Sequence, residues 1–143
     1  MLVSTKGRYA LRVMIDLAEH NTGSYIPLKE VASRQDISEK YLESIIRTLV
    51  RSGDVEGVRG KGGGYRLTRS PADYCVGNIL RLMEGGLSPV SCLTEGAKPC
   101  ERASRCPTLS MWSELDDLVN GFFNSKTLAD LIRSPESGND YIT

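Results

Sequence analysis

Histidine and paired cysteines are scarce in this chain. Among its 143 residues there is one histidine, His20, and the four cysteines form no Cys-x-x-Cys pair. This spacing excludes a zinc ribbon and a thioredoxin-like redox site. A thiol oxidoreductase would need such a pair, or a histidine close to its thiols, so we expect that the protein is not an enzyme.

Long apolar runs are also missing. No run is long enough to cross a bilayer, and the N-terminus lacks the charged stretch and apolar core of a signal peptide. We therefore expect a cytoplasmic protein with no membrane partner. In a reducing compartment, clustered thiols bind metal or sense redox state more often than they form structural disulfides.

Net charge is absent as well, but the zero hides an asymmetry. Residues 1–70 carry 12 Lys and Arg against 8 Asp and Glu, whereas residues 71–143 carry 6 against 10. A basic first half is compatible with a nucleic-acid partner, although basic faces are commonly only solvated.

Three helices are predicted in the first half. The first is capped by Ser4 or Thr5, and the second runs from Leu28 to about Arg34. The third follows a turn at residues 35–37 and ends near Ser52, and its apolar side consists of Leu42, Ile45, Ile46, Leu49 and Val50. Two helices across a short turn, the second polar on its outer face, are typical of a helix-turn-helix.

A glycine-rich segment follows the third helix. Residues 54–69 read Asp-Val-Glu-Gly-Val-Arg-Gly-Lys-Gly-Gly-Gly-Tyr-Arg-Leu-Thr-Arg, which predicts two strands joined by a glycine-rich loop. A phosphate-binding loop would need a helix after the glycines and a Lys-Ser/Thr ending, and neither is present. A basic hairpin directly after a helix-turn-helix indicates a winged helix.

This arrangement favours DNA binding, with the third helix in the major groove and the wing on phosphates or in the minor groove. Lys40 and Arg47 suit phosphate or guanine contacts, and Glu43 can accept a hydrogen bond from cytosine N4. The alternative is that these side chains only solvate a helix face and a hairpin. The candidate DNA-binding residues are Ser38, Lys40, Tyr41, Glu43, Ser44, Arg47, Arg59 and Lys61.

A long helix with a wide apolar stripe is predicted in the second half. It runs from Pro107 to about Asn124, and its stripe consists of Met111, Leu115, Leu118 and Phe122. A stripe of this width fits a partner helix across a two-fold axis, or a helix folded back onto the chain's own core. The residues alone leave both open.

The predicted fold is mainly α. A winged helix-turn-helix domain covers residues 1–70, and a linker helix with a cysteine-bearing loop covers 71–106. A dimerisation helix and a short terminal helix cover 107–133, and a flexible tail covers 134–143.

Three segments resemble the Rrf2 family of bacterial transcription factors. They are residues 4–11 (Ser-Thr-Lys-Gly-Arg-Tyr-Ala-Leu), 38–43 (Ser-Glu-Lys-Tyr-Leu-Glu) and 58–67 (Val-Arg-Gly-Lys-Gly-Gly-Gly-Tyr-Arg-Leu). The resemblance runs from residue 2 to about residue 133 and implies a winged-helix homodimer that binds pseudo-palindromic double-stranded DNA. In IscR-like members, the residues that correspond to Glu43 and Arg59 take part in promoter recognition.

Three of the cysteines lie on one loop before the long helix. Such thiolates can converge on a metal or an iron–sulfur cluster, and zinc ligation or a thiol–disulfide switch are alternatives. The resemblance implies that Cys92, Cys100 and Cys106 hold an iron–sulfur cluster, with 2Fe-2S favoured over 4Fe-4S. Cys75 is predicted to be a small buried residue and not a ligand.

The fourth ligand of such a cluster is not evident. Leu109 stands where IscR-like members have a histidine ligand, and Arg8 occupies the region that supplies a carboxylate in NsrR-like members. The remaining candidates are Glu95, Glu101, Ser110, an exogenous ligand, or an acidic residue such as Asp16 from the other subunit.

The sequence thus predicts a homodimeric, repressor-type transcriptional regulator whose DNA affinity depends on the state of an iron–sulfur cluster. The alternative is a CymR-like winged-helix repressor without a cluster. Such a repressor would be controlled by a partner protein, a small molecule or thiol oxidation.

Overall fold

The described chain consists of six α-helices and one antiparallel hairpin. A computed structural model describes residues 3–132, so the predicted tail, 134–143, lies outside the described residues. Within that range, no helix combines the length and apolarity needed to cross a bilayer. The helices are α1 (Thr5–Glu19), α2 (Leu28–Gln35), α3 (Glu39–Arg51), α4 (Val76–Glu84), α5 (Leu109–Asn124) and α6 (Leu128–Leu131), and the strands are β1 (Val55–Val58) and β2 (Gly64–Leu67). The prediction of a mainly helical chain with a hairpin wing is confirmed.

Side-chain caps and one left-handed residue shape the helix-turn-helix. Ser4 Oγ accepts a hydrogen bond from the N–H of Gly7 at 3.2 Å, and Ser38 Oγ accepts one from the N–H of Tyr41 at 3.2 Å. Each such cap satisfies a backbone donor that a helix start leaves unpaired and contributes roughly 1 kcal/mol. Asp36 adopts the left-handed conformation, with φ 53°, and ends α2. The turn to α3 is therefore as short as predicted.

One apolar core joins α1, α2, α3 and β1. Its side chains include Leu17, Val31, Leu42 and Val55, each at most 1% exposed. Burial of a side chain of this size contributes about 1.5–3 kcal/mol. The prediction that Val50 belongs to this core is wrong, because Val50 is 39% exposed and lines the groove between α3 and the hairpin.

The hairpin needs glycine where it packs against another backbone. Val58 pairs with Gly64, and the next residue, Tyr65, forms an antiparallel bridge with Ile26, just before α2. Gly64 has a φ of 150°, and a Cβ on it would lie 2.2 Å from the carbonyl oxygen of Ile26. Only glycine combines this conformation with so close an approach. The wing is therefore anchored to the helix-turn-helix by its second strand.

Tyr74 ties the hairpin to the second half of the chain. It is 1% exposed, and its hydroxyl donates to the carbonyl oxygen of Asp54 at 2.7 Å. The same hydroxyl accepts hydrogen bonds from the N–H groups of Thr68 at 3.0 Å and Arg69 at 3.1 Å. A buried phenol with three hydrogen bonds fixes both ends of the wing to the segment that leads into α4.

The long helix α5 covers only one edge of α4. Val119 and Phe123 pack against a small cluster of Val76, Leu80 and Leu87. No residue of α5 is buried, and the helix begins at Leu109, two residues later than predicted. The predicted apolar stripe lies in solvent, with exposed fractions of 51% for Met111, 38% for Leu115, 65% for Leu118 and 59% for Phe122. Within residues 3–132, α5 therefore does not fold its stripe back onto the chain's own core.

A buried carboxylate joins α1 to the end of α2. Asp16 is 1% exposed, and the Arg34 guanidinium donates to both of its carboxylate oxygens, at 3.0 and 2.8 Å. Gln35 Nε2 donates to the same carboxylate at 2.9 Å. The hydrogen bond and the charge of Asp16 raise the pKa of Arg34. Because an unpaired buried carboxylate is costly, this pair holds the two helices in one arrangement.

We predict that Asp16→Asn lowers the free energy of unfolding by about 2 kcal/mol. The substitution removes the charge that faces Arg34, and the cost falls below that of a fully buried pair because the Arg34 side chain is 31% exposed. Urea unfolding followed by circular dichroism measures the change. Glu30→Gln is the matched control: Glu30 pairs with the same guanidinium at 3.6 Å but is 59% exposed, and it should change stability by less than about 0.5 kcal/mol. Equal effects of the two substitutions would contradict the assignment.

Candidate nucleic-acid interface and cysteine loop

The outer face of α3 carries charged side chains that the chain itself does not use. Lys40, Glu43 and Arg47 are exposed and recur at helical spacing along one face. Their side chains form no hydrogen bond or ion pair with any other residue in 3–132. The face is therefore free to bind charged groups outside the chain.

Two serine hydroxyls, one at the start of α3 and one within it, use only part of their hydrogen-bonding capacity inside the chain. Ser38 Oγ accepts from the backbone at the helix start, so its own proton remains available to an external acceptor. Ser44 Oγ donates to the carbonyl oxygen of Tyr41 at 2.8 Å, so its lone pairs remain available to an external donor. Ser38 can thus donate a hydrogen bond to a group outside the chain, and Ser44 can accept one.

The Tyr41 side chain is held in place from α1. The rings of Tyr41 and Tyr9 meet edge to face, with centroids 5.8 Å apart, and the Arg12 guanidinium lies 4.9 Å from the centroid of the Tyr9 ring. Arg12 Nε also donates to Gln35 Oε1 at 3.1 Å. Sequence reasoning missed Tyr9 and Arg12, because no local pattern shows that α1 contacts the first turn of α3.

The wing faces α3 across an open groove of about 660 Å³. Glu43 and Arg47 line it from α3, and Arg59 lines it from the wing. The structure therefore brings these three predicted residues to one groove. Lys61 is exposed at the wing tip, and Lys40 lies at the start of α3, outside the groove lining.

Six arginines of the first half separate into two groups. Arg34, Arg66 and Arg69 form ion pairs with carboxylates within the chain. Arg47 and Arg59 form none in the described residues, and neither does Arg51, which lines the same groove and was missed in the sequence. The spacing of Arg51 four residues after Arg47 was the available signal. The groove lining therefore holds three arginines that form no ion pair within the described residues, together with the carboxylates of Glu39 and Glu43.

The three clustered cysteines occupy an exposed loop between α4 and α5. Cys92 and Cys100 are exposed, Cys106 is half-buried, and all are free thiols. Within residues 3–132, no three His, Cys, Asp or Glu side chains lie close enough together to hold a metal ion. The donor set suits an iron–sulfur cluster by its chemistry, since three thiolates on one loop are the usual ligand type. A single chain does not preassemble them.

The surroundings of Cys106 favour its thiolate form. Its Sγ lies 3.5 Å from the Thr108 hydroxyl, just before α5. Hydrogen bonds from the Thr108 side chain and backbone and from the Leu109 backbone, with the charge of Arg102, lower the pKa of the Cys106 thiol. The thiolate is the form that binds metal and reacts with electrophiles.

The structure removes one candidate for the fourth ligand. The prediction that Asp16 can serve is wrong, because both of its oxygens are buried and bonded to Arg34 and Gln35. Glu95 and Glu101 are exposed on the loop itself. Cys75 is half-buried and not buried as predicted. Its Sγ lies 3.8 Å from the carbonyl oxygen of Asn124 at the end of α5, and its backbone forms a bridge with Thr127, just before α6.

The sequence matches a known family model. The model described as "Rrf2: Iron-dependent Transcriptional regulator" matches residues 3–134. The HTH-type transcriptional regulator IscR of Vibrio atlanticus (strain LGP32) is 36% identical over 136 residues, which cover 95% of this chain and 78% of that protein.

Solved structures of the same kind are similar in fold. CymR (YrzC), the global cysteine regulator of B. subtilis, matches with a TM-score of 0.73 and 37% identity, covering 92% of this chain and 95% of that one. T. potens IscR matches with a TM-score of 0.72 and 38% identity, covering 92% and 85%. The oxidized form of Staphylococcus aureus CymR matches with a TM-score of 0.73 and 32% identity, covering 94% and 98%.

We predict that Thr108→Val slows alkylation of Cys106 in the metal-free protein at pH 7. Loss of the hydroxyl raises the thiol pKa and lowers the thiolate fraction, so the rate should fall roughly threefold. Quantitative mass spectrometry of iodoacetamide-labelled peptides measures the rate, and Cys100 in the same sample is the internal control. An unchanged Cys106 rate would contradict the role of Thr108.

Proposed function

The chain belongs to the Rrf2 family of transcriptional regulators, and we propose that it is a homodimeric repressor that binds double-stranded DNA through α3 and the wing. Its relatives are regulators and not enzymes. The observation that carries the proposal is the groove between α3 and the wing, with arginines on both sides that form no ion pair within the described residues. Phosphates are the natural partner of such a surface.

Each predicted residue has a definite part in this proposal. Lys40, Arg47 and Arg51 bind phosphate or guanine, and Glu43 accepts a hydrogen bond from cytosine N4 in the major groove. Arg59 and Lys61 bind phosphate or enter the minor groove. Ser38 donates to phosphate and Ser44 accepts from a base amino group. Tyr41, whose ring packs on Tyr9, contacts the DNA backbone.

The partner proposed for α5 is a second copy of this chain. Four exposed apolar side chains on one helix face would be costly to leave in water, and a two-fold axis lets the same stripe cover itself. Two recognition helices related by such an axis read a pseudo-palindromic operator.

We propose that Cys92, Cys100 and Cys106 hold an iron–sulfur cluster, with 2Fe-2S favoured. The support is their position on one loop, their free thiols, and the lowered pKa of Cys106. A bound cluster supplies a redox- and ligand-sensitive centre. The thiolates would have to converge for this, so the loop between α4 and α5 changes shape when they do. The cluster-bound and cluster-free loops change DNA affinity only if they favour different arrangements of the two subunits.

A CymR-like regulator without a cluster is the second candidate. The fold is as similar to CymR as to IscR, and within the described residues of one chain no three metal-binding side chains lie close together. In that case a partner protein, a small molecule or direct oxidation of the exposed thiols would control DNA binding.

We predict that Arg59→Ala and Lys61→Ala each weaken DNA binding and lower its salt dependence. Removing one phosphate contact should reduce the slope of log affinity against log salt by about one. Fluorescence anisotropy with a mixed-sequence duplex at several salt concentrations measures both quantities. Lys98→Ala, which removes an unpaired lysine from the cysteine loop, is the control. If the wing substitutions behave like the control, the wing does not contact DNA.

Anaerobic reconstitution with iron and sulfide is predicted to give a brown protein. Replacing Cys92, Cys100 or Cys106 singly by alanine should remove the colour and the bound iron, because each supplies one ligand. Cys75→Ala is the matched control and should retain both. A colourless, iron-free wild-type protein would exclude the cluster and favour the second candidate, while leaving the DNA-binding proposal intact.

A further inference from the structure

A second cavity lies between α4, the start of the cysteine loop and α5. It has a volume of about 540 Å³, which is within the usual range of roughly 300–1,000 Å³ for small-molecule sites. Its polar lining includes Arg81 from α4, Glu95 from the loop, and Asp116 and Asn120 from α5. None of these residues belongs to the groove between α3 and the wing.

The Arg81 guanidinium is fixed by neutral groups alone. It donates to Asn78 Oδ1 at 3.0 Å, to Asn120 Oδ1 at 3.1 Å and to Asn124 Oδ1. No carboxylate in residues 3–132 forms an ion pair with it. The amides orient the guanidinium without neutralising its charge, which leaves a full positive charge directed at the cavity.

Two carboxylates face the same cavity. Asn120 accepts from Arg81 through its oxygen and donates through Nδ2 to Asp116 Oδ1 at 3.2 Å. The guanidinium and the carboxylate are therefore separated by at most two hydrogen bonds and one amide group, which sets an upper limit of roughly 9 Å. Glu95 forms no hydrogen bond or ion pair with another described residue. The cavity thus carries one positive and two negative charges that are not paired with each other.

This charge arrangement selects the ligand class. A plain anion such as phosphate would be attracted by Arg81 but repelled by Glu95 and Asp116. A metal cation would be attracted by Glu95 and Asp116 but repelled by Arg81. A carboxylate and an ammonium on one small molecule satisfy both, and an α-amino acid is long enough to reach Arg81 and Asp116 alongside the Asn120 amide that joins them.

We propose that this cavity binds a free α-amino acid, with its carboxylate on Arg81 and its ammonium group on Asp116 and Glu95. The site remains open in the proposed dimer. Asp116 and Asn120 lie one helical turn apart on the side of α5 away from Leu115 and Leu118, because each residue advances about 100° around the helix. The apolar stripe can therefore be covered while the cavity stays accessible.

Occupancy of the cavity would act on the cysteine loop. Glu95 lies three residues after Cys92, and the Ser88 hydroxyl donates to the carbonyl oxygen of Leu93 at 3.0 Å, which closes this part of the loop. A ligand held by Arg81, Asp116 and Glu95 ties that loop to α4 and α5. An effect on DNA affinity rests on the proposed function, whereas binding itself does not.

The test is a thermal-shift screen of the full chain with each of the twenty L-amino acids, followed by calorimetry on those that raise the melting temperature. At least one amino acid is expected to bind, and its N-acetyl and carboxamide derivatives, which each lack one charge, should not. Arg81→Gln and Asp116→Asn should each weaken binding by at least about tenfold. Asp117→Asn, which changes the adjacent exposed carboxylate, is the matched control and should bind like the wild type.

Two results would overturn the proposal. One is that none of the twenty amino acids raises the melting temperature. The other is that a binding amino acid keeps its affinity in Arg81→Gln and Asp116→Asn. Asp116→Asn, which removes the opposite charge, decides the test by itself if Arg81→Gln does not fold. Anisotropy with the mixed-sequence duplex on the same samples separates a failure of this site from a failure of DNA binding.

Discussion

The arrangement of α2 and α3 against α1 depends on the buried carboxylate of Asp16. Burying this charge is tolerable only because Arg34 and Gln35, the last residues of α2, supply donors to it. The short turn after α2 then leaves α3 little freedom of orientation. Through Gln35 the same network reaches Arg12 and the Tyr9 ring, which supports the first turn of α3. The surface proposed to read DNA is therefore preorganised by contacts that do not themselves face DNA.

The opposite end of α1 is fixed to the half of the chain that carries the cysteines. Glu84, at the end of α4, accepts hydrogen bonds from the backbone N–H of Ser4 at 2.9 Å and from its hydroxyl at 2.6 Å. A carboxylate at a helix start is also favoured by the helix dipole. α4 leads into the cysteine loop. Contacts from α4 through α1 to α3 therefore connect a change in the shape of that loop to the orientation of α3. If α4 could take two positions against α1, these contacts would couple the shape of the cysteine loop to the orientation of α3.

Local sequence patterns predicted the helices and strands. They did not predict which side chains are buried or paired with residues far along the chain. The three helices of the first half, the hairpin and the apolar stripe of α5 followed from spacing alone, whereas the choice of Ser4 over Thr5 as the cap and the exposure of the stripe did not. Asp16 was misjudged because its position on α1 does not reveal Arg34, which lies eighteen residues further along the chain. Val50 was misjudged because the wing stands away from it and leaves a groove. The same long-range pairing separates the engaged arginines from Arg47, Arg51 and Arg59.

The central claim is that α3 and the wing of a dimer read DNA sequence. Selection of bound fragments from a random duplex pool by the full chain, followed by footprinting of the enriched sequence, tests it most directly. The account predicts one pseudo-palindromic sequence whose half-sites are separated by whole turns of the duplex, about 10 base pairs each, with protection on one face. A pool without an enriched sequence, or an enriched site with no two-fold symmetry, would contradict it.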